Sequence, residues 1–188
     1  MSTTATDTRG RIFLTDYASY NNGTQFEFGH WVDLDQFSGA DELNEYIAEH
    51  FKECDEKSPL PCGGTREEIM VTDYEGFPAE LYGESMSFDK LFEYFERCEQ
   101  CGYDTEVIEA FAACGNYRLD DIDAFFDALE ESYSGEFNSD EAFAEDMAEQ
   151  IGFEQPDAWP YNCIDWERAA RDLMFDYYSH NGHYFRSI

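Results

Sequence analysis

Apolar residues recur at two different spacings along this chain, and the spacing changes near residue 78. Before that point, three runs alternate apolar and polar residues, which predicts three strands: RIFLTD, QFEFGHWVDL and EEIMVTDYEG. One helix-spaced run, DELNEYIAEHFKEC, lies between the second and third of them. We therefore predict a small N-terminal α+β domain over residues 11–78, preceded by a flexible tail over residues 1–10.

Beyond residue 78 the spacing becomes helical. Three consecutive runs predict a central helical bundle over residues 79–131: SFDKLFEYFERCEQCG, DTEVIEAFAACG and LDDIDAFFDALEESY. From residue 132 onward the chain again mixes strand and helix signals, beginning with the strand-like SYSGEF and the helical NSDEAFAEDMAEQIG, in which we expect Phe143, Met147 and Ile151 to face inward. A loop with two prolines, EQPDAWPYN, leads to the helical run DWERAARDLMFDYY. Asn181-Gly182 then predicts a type I′ hairpin. The predicted class is α+β, with three domains, an elongated shape and a small antiparallel sheet in the C-terminal domain over residues 132–188.

The segment over residues 119–167 contains no Lys, Arg or His but sixteen Asp or Glu. In its first helix five apolar residues share one face, and acidic residues recur on a neighbouring face. The five are Ile122, Phe125, Phe126, Leu129 and Tyr133. Like charges at this spacing cost a helix a few tenths of a kcal/mol per pair, so stability does not account for the pattern. We predict that a partner binds these twelve carboxylates: Asp120, Asp121, Asp123, Asp127, Glu130, Glu131, Glu136, Asp140, Glu141, Glu145, Asp146 and Glu149.

The chain as a whole is also strongly acidic, with a net charge of −32 at pH 7. Because 43% of the residues are hydrophobic and 18% are aromatic, the chain can bury a core, so the acidity does not indicate disorder. The charge excludes a nucleic-acid binder of the usual kind, which has a basic face, and it argues against binding to an anionic membrane surface. It favours a basic partner. Duplex DNA would carry this charge in roughly 54 Å of its axis, against a diameter of roughly 40 Å for a compact chain of this length. The charge density therefore rivals that of DNA.

Other chemistry has weaker support in the sequence. Cys98 and Cys101 have CxxC spacing, yet they lie in a helical run without a second Cys/His pair, which favours helical thiols over a zinc or redox site. His180 and His183 flank the predicted turn, where we expect exposed imidazoles. Phosphate-binding loops and EF-hand patterns are missing from the sequence, and we predict no metal and no cofactor. The N-terminus lacks a signal-peptide pattern and no apolar run is long enough to cross a membrane, which predicts a cytoplasmic protein.

Three alternatives to a specific basic partner remain open from the residues alone. The acidity could be a solubilising surface of the halophilic kind, although such a surface should be even rather than concentrated in one segment. The chain could be an acidic chaperone or decoy for another basic nucleic-acid-binding protein. It could also be a hydrolase that uses paired carboxylates.

Several segments resemble the ArdA antirestriction proteins. FDALEESYSGEFNSDEAFAEDMAE is similar to the antirestriction motif region of that family, RIFLTDYASYNNG with GHWVDL to its opening, and IDWERAARDL with GHYFR to its close. The resemblance covers roughly residues 10–188 and is carried by the combination of segments. The first ten residues and the cysteine-bearing loops are less familiar, and nothing is transferred to them.

The resemblance implies a dimeric, elongated, three-domain DNA mimic without catalytic residues. Such proteins occupy the DNA-binding groove of type I restriction-modification enzymes, in the methyltransferase core, and block restriction and often modification. They are typically carried on mobile genetic elements. The motif region of the family lies near the dimer contact, which implies a homodimer contact here through Ser132, Tyr133, Ser134, Gly135, Glu136 and Phe137.

Overall fold

The computed structural model describes residues 9–60, 64–152, 159 and 163–188. Within these residues the chain forms eight α-helices and two three-stranded antiparallel sheets, which confirms the predicted α+β class. The chain divides into two compact units, Met1–Glu96 and Arg97–Ile188. The finer division at residues 78/79 and 131/132 stays a prediction. No helix in the described part of the chain is long and apolar enough to cross a membrane.

The first unit contains a sheet of strand order β2-β1-β3, as the alternating runs predict. Its strands are β1 (Arg11–Asp16), β2 (His30–Asp33) and β3 (Ile69–Glu75). Its helices are α1 (Tyr17–Asn21), α2 (Gln25–Phe28), α3 (Ala40–Lys57) and the first part of α4 (Phe88–Cys101). Short 3-10 turns occur at Leu34–Gln36 and Ala79–Leu81.

One prediction for this unit is wrong, because residues 25–28 form helix α2 rather than the start of a strand. The alternation in QFEF matches a strand, but the backbone closes a helical turn in which the Gly29 N–H donates to the Gln25 carbonyl at 2.8 Å. Gly29 fits this close turn because a Cβ there would lie only 2.4 Å from the same carbonyl oxygen. Strand β2 then begins at His30.

The inner face of the first sheet packs against α3. On that face Ile12, Leu14 and Val32 are buried, and α3 buries Leu43, Ile47 and Phe51 opposite them. The His30 ring lies on the same face as Leu14 and contacts the rings of Tyr46 and His50 from α3, at centroid distances of 5.9 and 4.2 Å. These contacts fix which side of the sheet the helix covers.

A buried charge network joins the segment before β3 to the end of β1. Arg66 is 6% exposed and lies 3.6 Å from the buried Asp16 carboxylate, and its Nη1 forms a 2.5 Å ion pair with Asp55 of α3. Its guanidinium also lies over the Phe28 ring at 4.3 Å. Because a buried charge left alone costs several kcal/mol, this pairing is what allows Arg66 to lie inside the unit.

The second unit contains a sheet of strand order β4-β6-β5. Its strands are β4 (Tyr133–Glu136), β5 (Tyr177–His180) and β6 (His183–Arg186). Its helices, after the last turn of α4, are α5 (Thr105–Cys114), α6 (Ile122–Ser132), α7 (Asp140–Gln150) and α8 (Trp166–Leu173). Helices α5 and α6 pack on this sheet around the buried rings of Phe111, Phe125 and Phe185.

The Asn181-Gly182 turn joins β5 to β6 as predicted. Both residues have positive φ, 50° for Asn181 and 84° for Gly182, which is the conformation that a type I′ turn requires at its two central positions. The predicted loop over residues 154–162 lies outside the described residues except for Trp159, as do residues 1–8 of the tail and residues 61–63 of the cysteine-bearing loop.

Candidate functional site

The acidic surface, meaning the twelve carboxylates named from the sequence, lies on α6, α7 and the turns beside them. Ten of the twelve residues are exposed, and Glu141 and Asp146 are half-buried. The predicted inward face of α6 is confirmed for Ile122, Phe125, Phe126 and Leu129, which are all buried. It is wrong for Tyr133, because α6 ends at Ser132 and the half-buried Tyr133 begins strand β4. The apolar face of α6 thus holds the helix on the unit while its acidic face is left outside.

Two of the acidic residues have local structural roles at helix starts. Asp121 caps α6, because its Oδ1 accepts a hydrogen bond from the Ala124 N–H at 3.0 Å. Asp140 begins α7, and its Oδ1 accepts a 2.6 Å hydrogen bond from the Tyr184 hydroxyl. Burial, followed by this bond to Asp140, raises the pKa of Tyr184, which keeps the hydroxyl protonated as the donor. Both carboxylates are therefore held in place by the fold.

Helix α7 packs against α8 and leaves Glu145 and Glu149 exposed. Ser139 caps the helix by accepting from the Ala142 N–H at 3.2 Å, and only Phe143 and Ala144 are fully buried. The prediction that Ile151 faces inward is wrong, because that side chain is 81% exposed just after the last helical turn. Met147, which was expected to face inward with it, is half-buried. The helix is anchored most deeply at Phe143 and Ala144, and its second half combines half-buried with exposed positions.

Two arginines from outside the basic-free segment neutralise part of the acidic surface. Arg97 of α4 bridges two carboxylates one turn apart on α6, with Nε 3.4 Å from Asp123 and Nη2 3.0 Å from Asp127. Its guanidinium also lies 5.5 Å from the centre of the Phe126 ring. Arg118 forms a more exposed pair with Asp120 at 3.3 Å. Sequence reasoning missed Arg97, because nothing in the spacing of α4 indicates that this side chain reaches α6.

The remaining carboxylates differ in how far the protein engages them. Hydrogen bonds with its own backbone N–H and with Ser139 lower the pKa of Glu141, and Asp146 accepts a 2.6 Å hydrogen bond from the Gln150 amide. Within the described part of the chain, five members of the acidic surface accept no hydrogen bond and form no ion pair: Glu130, Glu131, Glu136, Glu145 and Glu149. These five are the carboxylates most available to an external cation.

The density of charge differs between the two helices. Helix α7 carries five carboxylates in eleven residues, which at a rise of about 1.5 Å per residue is one per roughly 3.3 Å of axis. One strand of DNA carries one phosphate per about 3.4 Å. Helix α6 carries four carboxylates in the same length, and Arg97 offsets one of those charges. Helix α7 therefore matches the linear charge of a phosphate strand more closely than α6 does.

The segment over residues 132–137 lies at the edge of the second sheet. Strand β4 pairs with β6 on one side, and no described strand pairs with its other side. Ser132 is buried, and the Tyr133 hydroxyl lies 3.1 Å from His183 Nδ1. Glu136 points to solvent, while the Phe137 N–H donates to the Gly182 carbonyl at 2.9 Å. Such an edge has the backbone groups that a second copy could pair with, and the dimer contact itself stays a prediction.

The turn histidines and the CxxC pair have contacts within the protein. The prediction that both imidazoles of the turn are exposed is wrong for His183, which is 6% exposed because it packs against the Tyr133 ring. Cys101 donates from Sγ to the Cys98 carbonyl at 3.3 Å, the contact of a helical thiol. Among the described residues, no group of three or more His, Cys, Asp or Glu side chains has a geometry that could hold a metal ion.

Comparison with known proteins identifies the family of this chain. A family model described as antirestriction protein (ArdA) matches residues 12–186, which is nearly the whole chain. The chain belongs to the ArdA antirestriction family. Comparison with curated proteins and with solved structures found no match.

Membership of the ArdA family assigns an antirestriction function to the chain. The match spans both units, so the acidic surface and the N-terminal sheet both belong to the part that the family shares. It also includes all twelve carboxylates and the β4 edge. An antirestriction protein must act on restriction enzymes, and those enzymes bind DNA through basic surfaces.

Proposed function

We propose that this ArdA protein is a DNA mimic that occupies the DNA-binding groove of type I restriction-modification enzymes. In this proposal, the acidic surface takes the place of phosphates and engages Lys and Arg of the methyltransferase core. Restriction is blocked because the groove is filled, and modification is blocked for the same reason. The protein itself performs no chemistry, and it acts in the cytoplasm, where incoming DNA meets these enzymes.

The observation that carries the proposal is the charge spacing on α7. Glu141, Glu145 and Glu149 follow one another at i,i+4, so they form a stripe with a rise of about 6 Å per step. No Lys, Arg or His lies on this helix, and no described cation forms an ion pair with it. Glu149 lies near the helix C-terminus, where the helix dipole disfavours a negative charge. An arrangement that opposes helix stability in two ways is best accounted for by an external cationic partner.

The same reasoning predicts how inhibition depends on salt and on single residues. A strongly anionic protein associates rapidly with a cationic groove, and salt weakens that attraction steeply. An exposed ion pair contributes at most about 1 kcal/mol, so removing one carboxylate should weaken inhibition by at most about fivefold. A surface of distributed charges fails gradually, whereas an enzyme would lose its activity abruptly when one catalytic carboxylate is replaced.

A homodimer would extend the mimic. We propose that the β4 edge, residues 132–137, pairs with its counterpart in a second copy across a two-fold axis. The dimer would double the charge and place two copies of α7 in one particle. An exposed Glu136 on this edge is compatible with pairing only if the two copies are offset, because like charges directly opposite each other destabilise a strand pair.

The test is competition with duplex DNA for a purified type I methyltransferase, with triple variants matched in charge. Replacing Glu141, Glu145 and Glu149 by Gln should weaken competition by about tenfold or more, since three pairs of about 0.5–1 kcal/mol are lost. The control replaces three exposed acids of α3, Glu45, Glu49 and Glu56, by Gln. In the tested triple Glu145 and Glu149 are likewise exposed, and Glu141 is half-buried. Equal weakening by both triples would show that only total charge matters. Absence of competition by the wild-type protein would refute the proposal and favour an acidic chaperone for another basic protein.

A further inference from the structure

The outer face of the first sheet, opposite α3, carries aromatic rings that stay partly exposed. The register places Phe13 of β1 directly between Trp31 of β2 and Asp73 of β3, so these three side chains share that face. Phe26 of α2 adds a third ring. We call Phe13, Phe26 and Trp31 the aromatic platform. Its rings meet edge to face, with centroids 6.0 Å apart for Phe13 and Phe26 and 5.7 Å apart for Phe13 and Trp31.

The rings of the platform are more exposed to solvent than the buried core residues of this unit. Phe26 is 80% exposed, while Phe13 and Trp31 are half-buried. On the other face of the sheet, Ile12, Leu14 and Val32 are buried. A phenylalanine that leaves most of its ring in water loses roughly 1.5–3 kcal/mol of burial that it would gain inside a core. The exposed ring therefore requires a reason other than the stability of the unit.

Carboxylates border the platform along both outer strands. Asp73 lies opposite Phe13, and Asp33 and Glu75 lie on either side of Arg11, one cross-strand step further along the same face. Directly opposite residues in antiparallel strands have Cβ atoms about 4.5–5.5 Å apart, so Asp73 lies within reach of a group placed on the Phe13 ring. All three are exposed. Rings bordered by carboxylates attract a flat cation, which can stack on the ring and donate hydrogen bonds to the acid at once.

The chain already contains one example of this contact. The Arg11 guanidinium lies 4.5 Å from the centre of the Trp31 ring, and its Nη2 lies 2.8 Å from the Glu75 carboxylate. The Arg11 guanidinium of this chain therefore stacks on a ring and forms an ion pair on the same face. The rings of Phe13 and Phe26, with Asp73 beside them, form a second place of the same chemistry that no arginine of the described chain occupies.

We propose that the aromatic platform and its carboxylates bind arginine side chains of the basic partner. This inference rests on the proposed function, in which that partner is a DNA-binding enzyme. It adds a chemical preference that a phosphate mimic alone does not have. Carboxylates alone attract lysine and arginine alike, whereas a planar guanidinium stacks on aromatic faces and pairs with a carboxylate through two hydrogen bonds. The face therefore selects arginine over lysine, and charge complementarity with a chain of net charge −32 favours a cationic occupant over an apolar one.

The preference can be measured on the full chain with two peptides of equal charge, tetra-arginine and tetra-lysine. The Trp31 indole N–H signal in 1H–15N NMR reports binding at this face rather than elsewhere on the acidic protein. Tetra-arginine should bind about two- to fivefold more tightly than tetra-lysine at this reporter, the effect of one exposed ring–cation contact. Phe26→Ala should abolish the difference. Phe175→Ala is the matched control, because Phe175 is 81% exposed in the other unit.

A second variant tests the same contact in the opposite direction. Arg11→Gln removes the guanidinium that covers Trp31 and pairs with Glu75, so tetra-arginine should bind this variant more tightly than the wild type. Charge alone predicts only a small gain, equal for both peptides. A gain confined to tetra-arginine supports the proposal, and an equal gain counts against it.

Inhibition of the restriction enzyme completes the test. Phe26→Ala should weaken competition with DNA by about two- to fivefold, with Phe175→Ala unchanged. Equal binding of the two peptides, or an unchanged preference in Phe26→Ala, would overturn the inference while leaving wild-type competition with DNA, and hence the proposed function, intact. Conversely, if arginine selection holds but the wild type fails to compete with DNA, the proposed function is the part that fails.

Discussion

Arg97 has two opposing effects on this protein, and replacing it by Gln separates them. The side chain is 22% exposed and bridges Asp123 and Asp127, which are 72% and 75% exposed. Each exposed pair contributes about 0.2–1 kcal/mol, and the contact with the Phe126 ring contributes about 0.5–1 kcal/mol. The sum is about 1–3 kcal/mol. For a chain of this length we expect a Tm lower by about 4–8 °C if the loss is about 2 kcal/mol.

The same substitution should strengthen inhibition. Arg97→Gln removes a positive charge from the acidic surface and releases two carboxylates on α6, so competition with DNA should improve when it is measured well below the Tm. Arg171→Gln is the control, because Arg171 forms one exposed i,i+4 pair with Glu167 and should cost only about 0.3–0.5 kcal/mol. Urea unfolding and DNA competition on the same samples give both quantities. A stability loss no larger than that of Arg171→Gln, or weaker inhibition by Arg97→Gln, would refute this reasoning.

Two further predictions concern the two sheets separately. Gly182→Ala should destabilise the protein by about 1 kcal/mol more than Gly115→Ala in urea unfolding, because both glycines have positive φ but only at Gly182 would a Cβ also press on the Phe137 carbonyl, at 3.2 Å. Equal losses would show that the contact is unimportant. Burial, with the charge of His50 as a second cause, lowers the pKa of His30 below its ordinary value of 6.5, so the unfolded chain takes up the proton first and this contribution to stability is lost as the pH falls below about 6.5. His30→Gln should therefore lose less stability than the wild type between about pH 7 and pH 5.5, and parallel curves would contradict the assignment.

Local signals in the sequence predicted much of the fold. The helical spacing of Ile122, Phe125 and Leu129 gave the buried face of α6 because periodicity depends only on the geometry of one helix. Asn181-Gly182 gave the hairpin turn for a similar reason, since the required positive φ is a property of those two residues. The family resemblance, confirmed over residues 12–186, came from the combination of several such segments.

Contacts between distant segments could not be predicted in the same way. Arg97 lies 26 positions before Asp123 in the chain, and only the fold of the second unit, to which both residues belong, brings the two together. The burial of His183 likewise depends on Tyr133, fifty positions away, and the exposure of Ile151 depends on where α7 ends. The aromatic platform depends on the register of three strands and on helix α2. The alternation in QFEF predicts a strand in place of that helix.

The exposed acids of α7 have a consequence for how this protein can change over time. Phe143 and Ala144 are buried and hold the helix to its unit, whereas exposed positions such as Glu145 and Glu149 make little demand on side-chain shape. Aspartate and glutamate can therefore exchange there, or move by a position, with little effect on folding, provided that the number of negative groups is kept. Selection on such a helix would act on its total charge more than on the identity of any one residue, and chains that have drifted far apart in sequence could keep the same inhibitory capacity.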